Sequence, residues 1–285
     1  MRYMAHQPRP PLGDVVDYLW SLSDVPGHAR ERIVPTGTIE LVINLHEDEF
    51  RIYEPIAGGE RWFRGAIASG CYSAAFEIDT RAHALVIGIH FKPGAAARLL
   101  GVPPGALANA HVDLDDLWGH SATVLRERLC AEPNSSRRFE LLERVLIARM
   151  AGRPHRRPAV SAGLAELERP GAVVGQVVGS LGLSRRRFIE VFTEEVGMTP
   201  KRYSMVRRFQ RAFALASRSV SAGWARIALE SGYCDQAHLC RDWAELTGLS
   251  PSEFLALRGI RVKENHVALP EVGVKSIQYA SAPRQ

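Results

Sequence analysis

Two short stretches of this 285-residue chain carry side chains suited to gripping a base-bearing polyanion. Arg185, Arg186 and Arg187 form one cationic run, with Glu190 close behind. Gln236, Ala237, His238 and Arg241 form the other. A guanidinium presents a fork of donors that matches guanine O6 and N7, and a carboxamide matches adenine N6 and N7. Glu190 either accepts from a cytosine amino group or repels phosphate. Other chemistry is thinly represented. There is no GxSxG elbow, Walker loop or HExxH, and Cys71, Cys130, Cys234 and Cys240 include no CxxC pair. Cys71, flanked by Gly70 and Tyr72, is the least implausible nucleophile. His46 and His90 are candidate effector ligands placed on strands, against the commoner reading of hydrogen-bonded or exposed histidines. Asp115 and Asp116 read as helix N-terminal charge. No catalytic residue, metal or cofactor is expected.

The elements that must present the two stretches form a weak duplication over residues 171–258. Each copy reads as a short helix, a glycine-centred turn, a second helix, and then Gly-x-[ST]-Pro. The turn glycines, Gly182 and Gly232, lie 50 residues apart, and the closing prolines, Pro200 and Pro251, lie 51 apart. A tight turn between steeply crossed helices favours a residue that tolerates positive φ. Ser184 and Asp235 are suitable N-caps. Phe188, Val191, Phe192 and Val196 line one inner face; Leu239, Trp243 and Leu246 line the other. Between the copies, residues 201–217 read as one helix. Tyr203, Val206, Phe209 (or Gln210), Phe213 and Ala216 form its inner face, and Lys201, Arg202, Arg207, Arg208, Arg211 and Arg218 decorate the rest. Such a strut could hold two recognition helices about one DNA turn, roughly 34 Å, apart.

Charge is segregated in the same way. Residues 1–159 balance 19 Lys/Arg against 19 Asp/Glu, whereas residues 160–263 hold 15 against 10. The net +5 therefore sits in one segment, as an anionic partner would require. The apolar fraction of 46% and the length fit about two domains. No apolar run approaches the roughly 18 residues of a membrane helix. The polar, Pro-rich start lacks a signal-peptide core, which places the chain in the cytoplasm. The stretch Gly152–Pro158 reads as a linker. Before it, Ile39–His46 and Leu85–Phe91 alternate as half-buried strands. Weaker strands are expected near 50–53, 62–68 and 72–78, in a β-rich barrel or sandwich. Residues 12–22 read as an amphipathic stretch, 95–100 as a short helix, and 113–130 and 136–151 as longer helices that form a dimer seam or pack on their own domain. Trp20, Trp62 and Trp118 read as core, with one of them a candidate pocket wall.

The run Ile227-Ala228 … Gly232-Tyr233-x-Asp235-Gln236-x-His238-Leu239-x-Arg241-x-Trp243 … Thr247-Gly248-x-Ser250-Pro251-x-Glu253-Phe254 resembles the second helix-turn-helix of AraC/XylS-type transcription regulators. The resemblance covers about 165–258. It implies a seven-helix domain with a recognition helix on either side of a central helix. Base-facing positions in its second unit fall on Gln236, Ala237 and Arg241, with His238 near the backbone. Trp243 stands where Phe is usual, Cys240 where a small hydroxyl is usual, and Ile189 and Glu190 at base-facing positions that often carry polar or basic residues. The runs Tyr18-Leu-Trp20, Arg32–Leu45, His90–Ala95, Leu114–Gly119 and Asn265-His266-Val … Ile277-Gln278-Tyr279 resemble a domain of unassigned function found ahead of such modules.

The expected class is α+β: a β-rich, barrel-like sensor domain with appended helices, then an all-α domain with two helix-turn-helix units. The expected parts are a sensor and candidate dimerisation domain (1–151), a linker (152–162), a DNA-binding domain (163–259) and a tail (260–285). The expected function is a bacterial, sequence-specific, effector-responsive transcription regulator. Its expected partners are double-stranded DNA, RNA polymerase, a small-molecule effector and a second copy of the chain, with no membrane. The competing readings are a non-specific architectural DNA binder and an enzyme with a DNA-binding appendage.

Overall fold

A computed structural model describes residues 2–24, 28–54, 59–152, 156–218, 223–257 and 265–269. The N-terminal part is built on two antiparallel sheets. The first runs in the order β1 (Arg2–His6), β2 (Val16–Ser23), β9 (Leu85–Phe91), β4 (Glu40–Asn44), β7 (Ala66–Ser69) and β10 (His111–Asp113). The second runs β11 (His266–Leu269), β3 (Arg30–Ile33), β8 (Phe76–Asp79), β5 (Glu49–Tyr53) and β6 (Glu60–Arg64). The described strands form two separate sheets and no closed barrel, so the barrel-like expectation resolves as a sandwich.

The period of two in β4 and β9 sorts side chains between two buried faces. Leu41, Ile43, Ile87, Ile89 and Phe91 join the main core with α1 (Ala97–Leu100), α2 (Leu114–Trp118), α3 (His120–Ala131) and α4 (Ser135–Met150). The alternate positions Val42 and Val86, together with Trp20 and Leu22 of β2, face a cavity lined also by the second sheet. Asn44, expected to be polar and outward, is therefore fully buried. Its amide donates to the Glu49 and Ala82 carbonyls, and its oxygen accepts from the His46 and Glu47 backbone. Gly88 lies opposite Trp20 in the β2–β9 register, and a Cβ there would lie 2.2 Å from the indole. That close approach is why a glycine interrupts the β9 pattern.

Several local expectations shift. Residues 12–22 fold as a 3-10 turn, Leu12–Asp14, leading into β2. Gly65 divides the expected 62–68 strand into β6 and β7, and Tyr72 lies in the loop before β8. Gly119, at φ +58°, divides α2 from α3. Trp20 and Trp118 are buried as expected, but Trp62 is 55% exposed on the edge strand β6, beneath the Arg51 guanidinium. Helices α3 and α4 bury Leu125, Leu129, Phe139, Leu142 and Leu146 against their own domain and leave Val124 and Ile147 exposed.

The C-terminal part contains α5 (Pro158–Leu167), α6 (Val174–Ser180), α7 (Arg185–Val196), α8 (Pro200–Arg218), α9 (Trp224–Ser231), α10 (Gln236–Thr247) and α11 (Pro251–Leu257). Proline at the first position of α5 starts that helix inside the stretch expected to be linker. Within the expected tail, residues 266–269 return to the N-terminal domain and pair with β3. Residues 277–279 lie outside the described residues.

Candidate nucleic-acid interface

Each recognition helix is set by its cap and its inner face. The Ser184 hydroxyl accepts from the Arg187 backbone at 3.2 Å, and the Asp235 carboxylate accepts from that of His238 at 2.6 Å. Gly182 and Gly232 sit at φ +66° and +87°, where other residues would be strained. Phe188, Val191, Phe192 and Val196 are buried, as are Leu239, Trp243 and Leu246. Trp243 is the hub of the second unit, with its ring 5.0–6.2 Å from those of Phe209, Phe213, Trp224 and Phe254.

The outer faces differ in electrostatics. On α10, Gln236, Ala237 and Arg241 are exposed. Gln236 and Arg241 make no side-chain hydrogen bond or ion pair among the described residues. His238 is half-buried, with Nε2 3.7 Å from Asp242 and its ring edge-on to Tyr233. On α7, Arg185 is exposed and makes no ion pair among the described residues. Arg186 and Arg187 both reach Glu190, at 3.0 and 3.4 Å. Glu190 is thus a partly neutralised carboxylate rather than a bare one. Lys201 is exposed at the start of α8.

Arg202, Arg207, Arg208 and Arg211 of α8 act inside the protein. Arg208 reaches Asp242 at 3.2 Å and lies over the Tyr233 ring. Arg211 donates to the Ser231 and Glu168 carbonyls. Arg202 bonds Glu245 and the Ser73 carbonyl. Arg207 lies 3.8 Å from Glu168. Much of the segment's cationic surplus therefore braces helices.

One loop of the N-terminal domain, residues 70–75 between β7 and β8, touches the C-terminal ends of both recognition helices. The Cys71 thiol donates to the Val196 carbonyl at 2.9 Å, at the end of α7. The Ala75 backbone donates to the Leu246 carbonyl at 2.8 Å, near the end of α10. Arg32 of β3 adds a bond to the Thr247 carbonyl at 3.1 Å while pairing with Glu77 at 2.6 Å. The contacts of this loop fall at the C-terminal ends of α7 and α10, and it leaves their N-terminal halves unobstructed.

This geometry also answers the nucleophile reading of Cys71. Burial pushes its thiol up to about 12, so the thiolate is scarce at neutral pH. A thiol-directed label should modify exposed Cys130 and Cys234 in the folded protein and reach Cys71 only after denaturant is added. Equal labelling of Cys71 and Cys234 in the native state would show that α7 does not dock on this loop.

The two candidate effector histidines lie apart. His46 is on an exposed turn beyond the end of β4, 3.6 Å from Glu47, because Asn44 turns the chain out of the sheet there. His90 is buried on β9, stacked on Tyr18 and 3.2 Å from the Thr38 hydroxyl. Its register partner on β4, Glu40, lines the cavity, whereas His90 itself does not. The groups that do line the cavity include Glu31, His83 and His266, none of which sequence reasoning selected. Their only local signal is the resemblance across Asn265-His266-Val. No group of three or more His, Cys, Asp or Glu suited to a metal occurs among the described residues, and no described helix is long and apolar enough to cross a membrane.

Comparison with known families gives two matches. Residues 177–256 match a helix-turn-helix domain, and residues 4–113 match a domain of unknown function. An uncharacterized HTH-type transcriptional regulator of Haemophilus influenzae is 39% identical over 72 residues, 25% of this chain. The match spans 24% of that relative's own length. Among solved structures, ToxT from Vibrio cholerae aligns at a TM-score of 0.44 with 11% identity, covering 89% of this chain and 98% of the other. A ToxT structure with an unsaturated fatty acid bound aligns at 0.44 with 10% identity, covering 89% and 94%.

Proposed function

We propose that the chain, whose residues 177–256 match a helix-turn-helix domain, is a bacterial, sequence-specific transcription regulator of AraC type. Its α7 and α10 read successive major-groove segments, and the occupant of its N-terminal domain sets how firmly it does so. The observation that carries this reading is the arrangement around residues 70–75. Both recognition helices are tethered at their C-terminal ends to one loop, and Arg185, Gln236 and Arg241 face outward at the opposite ends. The N-terminal half of a recognition helix is the part that meets base edges.

The 19 residues of α8 span roughly 28 Å. That is close to the roughly 34 Å between equivalent positions one DNA turn apart. The same loop leads into Phe76, which lines the cavity between the sheets. A ligand there would press on the strand whose preceding loop holds both helix ends, so effector response needs no long relay. RNA polymerase, a second copy and a cytoplasmic location belong to the same proposal.

Genome-wide immunoprecipitation of the tagged, full-length protein from its own host tests the reading. Discrete peaks at promoters that share a sequence are expected. Even coverage that follows DNA content would leave a non-specific binder.

A further inference from the structure

The cavity between the sheets has apolar walls from both: Trp20, Val42 and Val86 on one side, and Phe50, Ile52 and Phe76 on the other. The cavity has a volume of about 60 Å³ and opens to solvent. Glu31, His83 and His266 line it near the meeting of β3 and β11, and Glu40 and Ser69 line it from the first sheet. Glu31 is 2% exposed and accepts from His28 and His266, each at 2.5 Å. Burial alone would raise its pKa, but the hydrogen bonds from His266 and His28 outweigh that and hold it at about 2. Glu31 is therefore an anion whose two oxygens are already engaged. Beside it, His83 is 5% exposed, and burial pulls its pKa down to about 4, so the ring is neutral at physiological pH. Its Nε2 is buried with no partner among the described residues. A buried, unpaired imidazole nitrogen on the wall of an apolar cavity is poised to hydrogen-bond a ligand.

The wall is not made by the N-terminal domain alone. His266 opens β11, which follows the DNA-binding helices in sequence. Its partners run from Ile33 opposite His266 to Arg30 opposite Leu269, and the Asn265 carbonyl accepts from Val34. The same β3 carries Arg32, which holds the end of α10. The cavity therefore sits behind a strand linked to α10 by Arg32 and to the chain's return segment by β11.

We propose that this cavity is a binding site for a small, uncharged, ring-sized apolar molecule carrying one hydroxyl or carbonyl group, and that the returning C-terminal strand β11 forms part of the site. The apolar walls take the ring, and His83 bonds the polar group. The wall already carries two carboxyl groups, Glu31 and Glu40, and this disfavours a ligand carboxylate. The site deepens the effector-responsive reading above and rests on it for its regulatory meaning, though not for its chemistry.

The test uses the full-length protein with p-cresol as the probe, and toluene and benzoate as comparisons. Binding is followed by Trp fluorescence and hydrogen exchange. Bound p-cresol is expected to slow exchange in β11 and β3, and benzoate to bind at least tenfold more weakly. His83→Leu is expected to weaken p-cresol about fivefold and leave toluene unchanged, a comparison that separates a lost hydrogen bond from a misfolded wall. His266→Ala is expected to weaken both. Equal affinity for p-cresol and benzoate, no loss in His83→Leu, or unchanged exchange in β11 would overturn the proposal. DNA binding is measured in parallel on the same samples. A probe that binds and protects β11 but leaves DNA affinity unchanged would uphold the site and strike out the effector reading.

Discussion

Replacing Arg241 by alanine is expected to weaken binding to a cognate duplex about 5- to 150-fold, equivalent to about 1–3 kcal/mol, and to relax preference at the bases it reads. The expectation follows from where the side chain sits. Arg241 is exposed on the outer face of α10, with Gln236 and Ala237, opposite the buried Leu239, Trp243 and Leu246. It makes no side-chain bond or ion pair among the described residues. Its loss should therefore change folding stability by no more than about 0.5 kcal/mol. Anisotropy titrations against the cognate duplex and single-base variants read the effect. A uniform loss on every sequence, with the salt slope reduced by about one, would instead make Arg241 a phosphate contact.

Replacing Trp243 by alanine is expected to destabilise the C-terminal domain by about 3–5 kcal/mol, the usual cost of removing a large buried aromatic side chain. The ring is fully buried, and four other aromatic rings close on it. Two of those rings belong to α8, one to α9 and one to α11, so the cavity left behind would loosen every helix that orients α10. Trp243→Phe is expected to behave differently. The Trp243 Nε1 is buried with no hydrogen-bond partner among the described residues. Phenylalanine keeps a ring in the cluster and removes that unpaired donor, so the cost should stay below about 1.5 kcal/mol. Urea unfolding followed by far-UV circular dichroism compares the two variants. Equal losses would mean that the cluster is not the hub described here.

What was legible in the sequence was local. The caps at Ser184 and Asp235, the turn glycines and the inner faces of α7, α8 and α10 all depend on neighbours within a few turns, and they read directly from spacing. The outer faces were half legible. Arg185, Gln236 and Arg241 stand outward, but the arginines of α8 were read as decoration and serve instead as braces, because their partners Glu168, Ser231 and Asp242 lie on other elements. The least legible features pair distant segments. Strand β1 begins in a polar, Pro-rich stretch, and β11 comes from a segment with no strong strand signal; both exist because an open sheet edge accepts them. The cavity was hidden for the same reason. Its polar groups His28 and Glu31, His83, and His266 come from three places in the chain, and no short-range pattern joins the three.

The central claim is that two outward recognition helices, fixed by one strut and one loop, read two neighbouring groove segments. Selection of bound sequences from random duplex DNA, at a fixed near-physiological salt concentration, tests it most directly. The account predicts enrichment of a bipartite motif, with two short blocks about ten base pairs apart. Binding without any enriched sequence, collapsing as salt rises, would contradict it and leave the basic segment a non-specific anchor.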